Sequence, residues 1–292
     1  MLAFAKDTVY RFMKSTQINW IRFTTILASR IIKDAVVPLN NADRENVLCI
    51  DDSMFERNRS KKVELLAKTY DHAKHAYKFG FRMLTLGWTD GSTFLPVNSI
   101  LLSTDNKKNR VNEAVSLDKR TVGYKRRKLS MTKGTEAMLE LLKAAKTVGI
   151  PAKYVLFDSW FSSPKSLHAV KNLGYEVIGM IKKTPKMFFR YNGEELSLID
   201  IYKSNKKRRG RSRYLLLWMS SKMGKRSRPG WYMSATGISA RNTSASSQQI
   251  HPYVKMKSFA FMENAGILKY SSKSARVISG SVKNAIAFLL MQ

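Results

Sequence analysis

Asn46-Val-Leu-Cys-Ile-Asp-Asp52 and Lys153-Tyr-Val-Leu-Phe-Asp158 share one pattern, an apolar run that ends in a carboxylate. Each run predicts a buried strand that delivers an Asp at its carboxyl end. In open α/β sheets, ligands and metals bind at that end of the strands. A plainer alternative is that Asp51, Asp52 and Asp158 only cap strand ends or turns, since Asp is a common capping residue.

The composition favours a folded protein with an anionic partner. The chain has 292 residues, of which 44% are hydrophobic, enough for one large domain or two ordinary ones. The formal net charge is +31, which points to nucleic acid, whose phosphates bind cations with release of counterions. No apolar run approaches the length of a membrane-spanning helix, and no cleavable signal is expected at the start. The single cysteine, Cys49, is expected in the core of a protein from a reducing compartment.

Periodicity extends the two runs into a longer order of elements. Helical spacing over 8–36 predicts one or two helices that end before Pro38. Asp90-Gly91 predicts a hairpin turn. The segment 53–78 is polar and basic, and 103–131 is expected to be a charged loop, either solvated or in contact with phosphates. The remaining predicted elements are strands at 46–52, 79–88, 94–102, 153–158, 175–181 and 187–191 and helices at 132–148 and 163–173.

The order strand, hairpin strand, strand, helix, strand, helix, strand is typical of a ribonuclease-H-like fold. The predicted fold class is therefore α/β, a mixed sheet flanked by helices. We expect a helical N-terminal segment over 1–45, the core over 46–216 and a poorly ordered basic tail over 217–292. The first and fourth predicted strands are neighbours in that fold, so Asp52 and Asp158 should meet at one end of the sheet.

Two acidic motifs resemble those of bacterial insertion-sequence DDE transposases. Asp51-Asp52-Ser53 is similar to the first-strand motif of that family, and Asp158-Ser159-Trp160-Phe161 is similar to its second acidic motif. The basic segment 203–213 resembles the start of the β-strand insertion that precedes the third acid of the family. The resemblance covers roughly residues 8 to 216.

The resemblance implies phosphodiester cleavage and strand transfer on DNA. In the family, two Asp and one Glu hold two Mg²⁺ (or Mn²⁺) ions about 3.5–4 Å apart, which activate the nucleophile and stabilise the leaving oxygen. Asp52 aligns with the first ligand and Asp158 with the second. Asp51 is the alternative to Asp52, because adjacent side chains on a strand point to opposite faces.

The resemblance also implies the partners and the location of the protein. Double-stranded DNA, in the form of the inverted repeats at transposon ends, would be the substrate, and a homodimer is compatible with it. The expected location is the bacterial cytoplasm, in association with the nucleoid and not with a membrane.

Two basic clusters are candidates for contact with DNA phosphates. The first cluster, Lys125 to Lys128, can equally well be a solvated surface loop. The net charge of the whole chain is the reason to consider contact with DNA. The candidate residues are Lys125, Arg126, Arg127, Lys128, Lys206, Lys207, Arg208, Arg209 and Arg211.

The third acid of the family is missing from the expected place. Relatives carry Y-x-x-R-x-x-x-E after the insertion, but from Ile201 to the end the only acid is Glu263, without that pattern. A frameshift near Leu216 would explain this, because Met262 to Lys273 can be encoded so that the neighbouring frame gives Y-G-K-R-W-D-I-E. The alternative is a divergent basic DNA-binding tail. With two carboxylates instead of three, we expect the site to hold metal poorly and the chain to be inactive in transposition.

Three functions compete at this point. The first is a degenerate transposase-family chain with a partial site. The second is a non-enzymatic DNA-binding protein that uses the basic segments 107–128 and 203–228. The third is an active ribonuclease-H-like nuclease that recruits another acid, such as Glu113 or Glu136.

Overall fold

The computed structural model describes residues 6–40, 44–72, 74–158, 160–179, 188–191, 194–204, 215–221 and 231–237. These fall into two units, one up to residue 179 and one from residue 188 to residue 237. The basic segment 205–214 and residues 238–292 lie outside the described residues, and with them the site of the supposed shifted Glu. Of the tail predicted to be poorly ordered, two short strands are described.

The first unit contains a six-stranded mixed sheet and five α-helices among its described residues. The helices are α1 (Lys6–Lys14), α2 (Trp20–Arg30), α3 (Val122–Ser130), α4 (Gly134–Thr147) and α5 (Pro164–Asn172). The strands are β1 (Val47–Glu56), β2 (Ala67–Asp71), β3 (Ala76–Thr89), β4 (Phe94–Leu102), β5 (Tyr154–Phe157) and β6 (Glu176–Gly179).

Strand β3 is the longest of the sheet and organises its antiparallel half. One edge of β3 pairs with β2 through residues 76–80 and with β4 through residues 82–89. The other edge pairs with β1, which is antiparallel to β3 and parallel to β5. Strand β6 continues the parallel half beside β5. The antiparallel strands β1 to β4 and the parallel strands β5 and β6, with helices against the sheet, are consistent with the ribonuclease-H-like fold that the order of elements predicted.

The core lies between the sheet and helices α2 and α4. Leu48, Leu84 and Trp88 are completely buried, as are the inward side chains of α4 such as Met138 and Leu142. Burial of this apolar area is the main source of stability for the unit.

Polar contacts fix the position of the helices and loops relative to the sheet. The Asn98 amide donates to the Ile21 carbonyl and to Thr25 Oγ1, both at 2.8 Å, and the Trp88 indole N–H donates to the Pro151 carbonyl at 2.8 Å.

Local sequence signals explain where several elements stop. Gly149 and Gly174 follow α4 and α5 with positive φ angles of 68° and 84°, the left-handed conformation that ends many helices. Ser163 caps α5 and Pro164 occupies its first turn. Two helices precede Pro38, as predicted, and α2 continues as a π-helical segment to Val36.

The polar segment 53–78 and the predicted charged loop 103–131 contain a strand and a helix that the sequence analysis missed. Strand β2 lies within 53–78, and β1 also runs four residues beyond Asp52. Helix α3 lies within 103–131 and carries the first basic cluster. The local sequence signals for both elements are weak, because β2 has little alternation of apolar and polar residues and α3 has four consecutive basic residues. Their pairing and packing with the rest of the unit stabilise them.

The second unit contains a small four-stranded sheet in the order β8-β7-β10-β9. The elements are β7 (Phe188–Tyr191), β8 (Glu194–Ser197), α6 (Leu198–Ser204), β9 (Leu215–Ser221) and β10 (Trp231–Gly237). The strand predicted at 187–191 is confirmed as β7. Within the described part of the chain, no helix is long and apolar enough to cross a membrane.

Candidate active site

The carboxyl ends of β1 and β5 bring two acidic residues together. The parallel register pairs Cys49 with Leu156 and Ile50 with Phe157, so its next step sets Asp51 beside Asp158. Neighbours across a parallel pair point to the same face of the sheet. The negative charge of Asp158 also acts on Asp51, in agreement with this register.

Asp51 is a carboxylate in an unfavourable environment. Burial of the group among surrounding protein atoms and, second, the charge of Asp158 raise its pKa from 3.8 to about 6. The residue is nevertheless exposed to solvent. In the described part of the chain, no hydrogen bond or ion pair reaches this carboxylate. Asp51 is therefore open to a ligand that brings positive charge.

Asp52 points to the opposite face from Asp51 and forms an ion pair with Arg82 of β3. Continuing the register by one residue places Asp51, the alternative ligand, across from Asp158, whereas Asp52 faces the other side of the sheet. The assignment of Asp52 as the first ligand stays a prediction. Arg82 also senses the charge of Asp158, which opposes the lowering of the arginine pKa by burial. Its guanidinium lies 5.2 Å from the centre of the Trp160 ring.

A tight turn after β5 fixes the orientation of Asp158. The backbone N–H of Trp160 donates to Asp158 Oδ1 at 2.8 Å, and the Ser162 hydroxyl donates to the Asp158 carbonyl at 3.0 Å. Phe161 then anchors the turn in the core, where it is 1% exposed. One carboxylate oxygen of Asp158 is thus held by the backbone, while the residue as a whole remains exposed.

Cys49 lies on the same strand face as Asp51, two residues earlier. Burial and the charge of Asp51 raise the pKa of its thiol to about 12. The thiol therefore keeps its proton at neutral pH and is a core group, as expected from the sequence.

No third acid completes the pair within the described residues. Groups of three or more His, Cys, Asp or Glu side chains in metal-binding proximity are absent from this part of the chain. Glu113 instead forms an ion pair with Arg110 at 3.0 Å. Glu136 lies in the first turn of α4 and belongs to no such group either. Neither alternative third acid is therefore brought to Asp51 and Asp158.

The first basic cluster is divided by its position on α3. Lys125, Arg126 and Lys128 are exposed. Arg127 instead points back to Glu64 and donates to its two oxygens at 2.6 and 2.8 Å. The guanidinium of Arg127 is thus engaged within the fold, and its role as a DNA contact stays a prediction. The second cluster, Lys206 to Arg211, lies outside the described residues.

Arg82 and the aromatic residues around Trp160 were missed by the sequence analysis. The signal available in the sequence was weak, because Arg82 is a single arginine within a long and mostly apolar strand. Its proximity to Asp52 depends on the antiparallel register of β1 and β3, which no local pattern reveals.

Comparison with known proteins identifies the family of the chain. The family model described as DDE superfamily endonuclease matches residues 3–227, more than three quarters of the chain. The chain belongs to the DDE superfamily endonucleases. Among curated proteins, none matches the chain. A solved structure with a detectable likeness is the Drosophila P element transposase strand transfer complex, with 10% identity and a TM-score of 0.28. That match covers 68% of this chain and 42% of the transposase chain.

DDE superfamily endonucleases generally use divalent metal ions, and the paired carboxylates fit such an ion chemically. Carboxylate oxygens are the ligands that Mg²⁺ and Mn²⁺ prefer. A divalent cation would also remove the repulsion that raises the pKa of Asp51. The donor set of this DDE endonuclease chain is nevertheless short by one acid among its described residues.

Proposed function

We propose that this chain is a transposase-type DDE domain that binds a divalent cation, Mg²⁺ or Mn²⁺, with Asp51 and Asp158 and presents it to a DNA phosphate. The observation that carries the proposal is the carboxylate pair across β1 and β5, in which burial and, second, the charge of Asp158 raise the pKa of an otherwise unpaired Asp51. We assign the first ligand to Asp51 instead of Asp52, because Asp52 already compensates Arg82.

Each residue of the site then has a separate task. When bound, the divalent ions supply activation of the nucleophile and charge stabilisation at the leaving oxygen. Asp158 is oriented for this by the Trp160 N–H. Arg82 is a fixed positive charge beside the carboxylates that can attract and orient a phosphate of the DNA strand.

The exposed cations of α3 support double-stranded DNA as the partner. Lys125, Arg126 and Lys128 share one helix and can contact successive phosphates without sequence preference. We include the basic segment from Lys206 to Arg211 in the proposed surface on the strength of its charge alone. The ends of a transposon, a homodimeric assembly and association with a bacterial nucleoid are the further expectations that the family resemblance adds.

We further propose that catalysis is impaired because the third acid is missing. The described residues supply two carboxylates to the site, and the sequence after Ile201 contains only Glu263. With one ligand and about one unit of negative charge fewer, a second Mg²⁺ should be held poorly. The supposed frameshift near Leu216 would account for the loss, and the nucleotide sequence of the gene read in all three frames tests it.

The test of the site is Mn²⁺ binding by calorimetry, with substitutions that remove one carboxylate at a time. We expect Asp51→Asn and Asp158→Asn to weaken Mn²⁺ binding at least tenfold, whereas Asp52→Asn should weaken it less than threefold. Asp118→Asn is the matched control, because Asp118 is an exposed acid that pairs only with its near neighbour Arg120. Equal losses for Asp52→Asn and Asp51→Asn would reject the assignment of the ligand.

The test of impaired catalysis is strand cleavage of inverted-repeat DNA in Mg²⁺ or Mn²⁺. We expect no cleavage above the level seen in EDTA. Robust metal-dependent cleavage that Asp158→Ala abolishes would show that the site is complete and would contradict this part of the proposal.

A non-enzymatic DNA-binding protein is the second candidate, favoured by the net charge of +31 and the exposed cations of α3. It predicts DNA binding that ignores Mg²⁺ and weakens steeply with salt. Binding with that behaviour, together with no measurable Mn²⁺ binding at Asp51 and Asp158, would favour this candidate over the first.

A further inference from the structure

Four aromatic side chains form a continuous series of ring contacts that starts beside the carboxylates. The ring centres of Trp160 and His72 are 5.4 Å apart, those of His72 and Tyr70 are 5.0 Å apart, and those of Tyr70 and Tyr77 are 5.2 Å apart. We call Trp160, His72, Tyr70 and Tyr77 the aromatic strip. It runs from the turn after β5 to the hairpin of β2 and β3 at the edge of the sheet.

The aromatic strip is on the surface and is not part of the core. Trp160 is 46% exposed and Tyr77 is 65% exposed, while His72 is also exposed and Tyr70 is half-buried. Aromatic side chains are usually among the largest contributors of buried area, so four contiguous rings at the surface give up much of that stabilisation. A surface of this kind is typical of a binding site for a flat apolar ligand.

Cations accompany the rings at both ends of the strip. The Arg82 guanidinium lies over Trp160 at 5.2 Å, and Lys68 Nζ lies 5.3 Å from the centre of the Tyr77 ring. The favoured ligand therefore combines flat π surfaces with negative charge. Nucleotides have both, because each base can stack on a ring while its phosphate lies near a cation.

The strip is also tied directly to the candidate active site. Trp160 donates its backbone N–H to Asp158, and Arg82 pairs with Asp52. A nucleic-acid strand with a phosphate at the carboxylates would thus have its neighbouring nucleotides at the rings. In a regular duplex the bases stack on one another, so only unpaired nucleotides can offer their faces to the strip.

We propose that the aromatic strip binds unpaired nucleotides of a DNA strand that passes the carboxylate pair. The proposal extends the proposed function, on which it relies for the position of the phosphate. The strip acts in binding, and its stacking contacts require neither a bound metal nor cleavage. A duplex end could reach it only if its terminal nucleotides separate.

The experiment compares single-stranded and duplex DNA by fluorescence anisotropy in EDTA. The probes are a labelled oligothymidylate of about twelve nucleotides and a hairpin duplex of similar charge. Stacking on an aromatic side chain contributes enough that Trp160→Ala should weaken single-strand binding about 5- to 100-fold. Duplex binding should change less than about twofold, since no charge is removed. Trp160→Phe should retain most of the single-strand affinity.

Two further variants test whether the effect is specific to the aromatic strip. Tyr77→Ala alters the far end of the strip at a position exposed enough to leave the fold intact, and it should also weaken single-strand binding selectively. Phe23→Ala is the matched control, because Phe23 is a 54% exposed aromatic residue on α2 outside the strip, and it should change neither affinity. Circular dichroism and thermal unfolding identify any variant that fails to fold.

Two results would overturn the inference. If Trp160→Ala and Tyr77→Ala leave single-strand binding unchanged, the strip does not bind nucleotides. If they weaken duplex and single strand equally, the strip is part of a general DNA surface. Mn²⁺ binding measured on the same variants separates the two proposals, because the strip can fail while the carboxylates still bind metal, and the reverse is also observable.

Discussion

Two carboxylates of this protein, the exposed Asp51 and the half-buried Glu64, lie in opposite electrostatic environments. Glu64 accepts two hydrogen bonds from Arg127 and one from the Val115 backbone N–H at 3.3 Å, and these contacts lower its pKa. Desolvation of Asp51 by surrounding protein atoms and, second, the charge of Asp158 raise its pKa to about 6. The negative charge of Glu64 is thus balanced by Arg127 within the fold, whereas no cation of the described residues pairs with Asp51.

The difference favours a structural role for Glu64 and supports the functional role proposed for Asp51. The Glu64–Arg127 pair joins the segment before β2 to α3, two elements whose own sequences favour structure only weakly. The Asp51–Asp158 pair joins two strands that apolar burial already holds together. Its unfavourable charge arrangement therefore has no structural benefit, and strongly perturbed carboxylates of this kind are concentrated at functional sites.

The largest expected effect on stability comes from the compensated pair. Arg127→Ala should lower the free energy of unfolding by about 2 kcal/mol, because it leaves Glu64 partly buried without its charged donor. The folded-state pKa of Glu64 lies below its ordinary 4.5, so its contribution is present above pH 4.5 and is lost as the pH falls through the folded value. Urea unfolding at pH 7 and pH 3 measures both. A midpoint at pH 7 equal to that of the unaltered protein would show that the pair is dispensable.

The next effect concerns the uncompensated pair and its proposed ligand. Mn²⁺ at ten times its dissociation constant should stabilise the protein by about 1.4 kcal/mol, since only the folded state brings the two carboxylates together. Thermal unfolding with and without Mn²⁺ detects this gain. Asp158→Asn should abolish it, and Asp118→Asn should preserve it. Equal stabilisation of both variants would place the ion elsewhere.

A smaller effect should appear when a substitution removes the charge of Asp51, and with it the repulsion from Asp158, in the absence of metal. The pKa of Asp51 is raised above its ordinary 3.8, so the folded state loses stability as the pH rises from about 4 through about 6. Asp51→Asn in EDTA should therefore stabilise the protein at pH 8 by about 1 kcal/mol, a value reduced by solvent screening, and should be neutral near pH 4. Chemical unfolding at the two pH values measures the change. Destabilisation at pH 8 would mean that the charge of Asp51 supports the fold.

The smallest effect is expected at an acid that is compensated but fully exposed. Asp118 and Arg120 form a 2.8 Å ion pair on the surface, and the Arg120 side chain is 91% exposed. Arg120→Ala should leave the unfolding midpoint unchanged within error, because such pairs are screened by water and salt. A measurable loss would show that hydrogen bonding alone, without burial, distinguishes Glu64 from Asp51.

The sequence predicts the parts of this fold that have strong local signals. Apolar runs give β1 and β5, while an amphipathic pattern with a glycine stop gives α4. Strand β2 and helix α3 depend on contacts with distant segments, so a local pattern does not reveal them. The same limit applies to the site. The motifs locate the acidic ends of β1 and β5. Whether Asp51 or Asp52 lies across from Asp158 depends on the register between these two strands, and the motifs do not determine that register.

The pairing of β1 on both sides has a consequence for synthesis on the ribosome. Its partner β3 follows soon after it, but β5 emerges only after β4, α3 and α4 have been made. During that interval, which lasts on the order of seconds at ribosomal rates, one edge of an apolar nascent strand has unpaired N–H and C=O groups. A strand from another nascent chain can pair with that edge in place of β5. Slow translation between residues 103 and 153 should therefore reduce the yield of correctly folded protein.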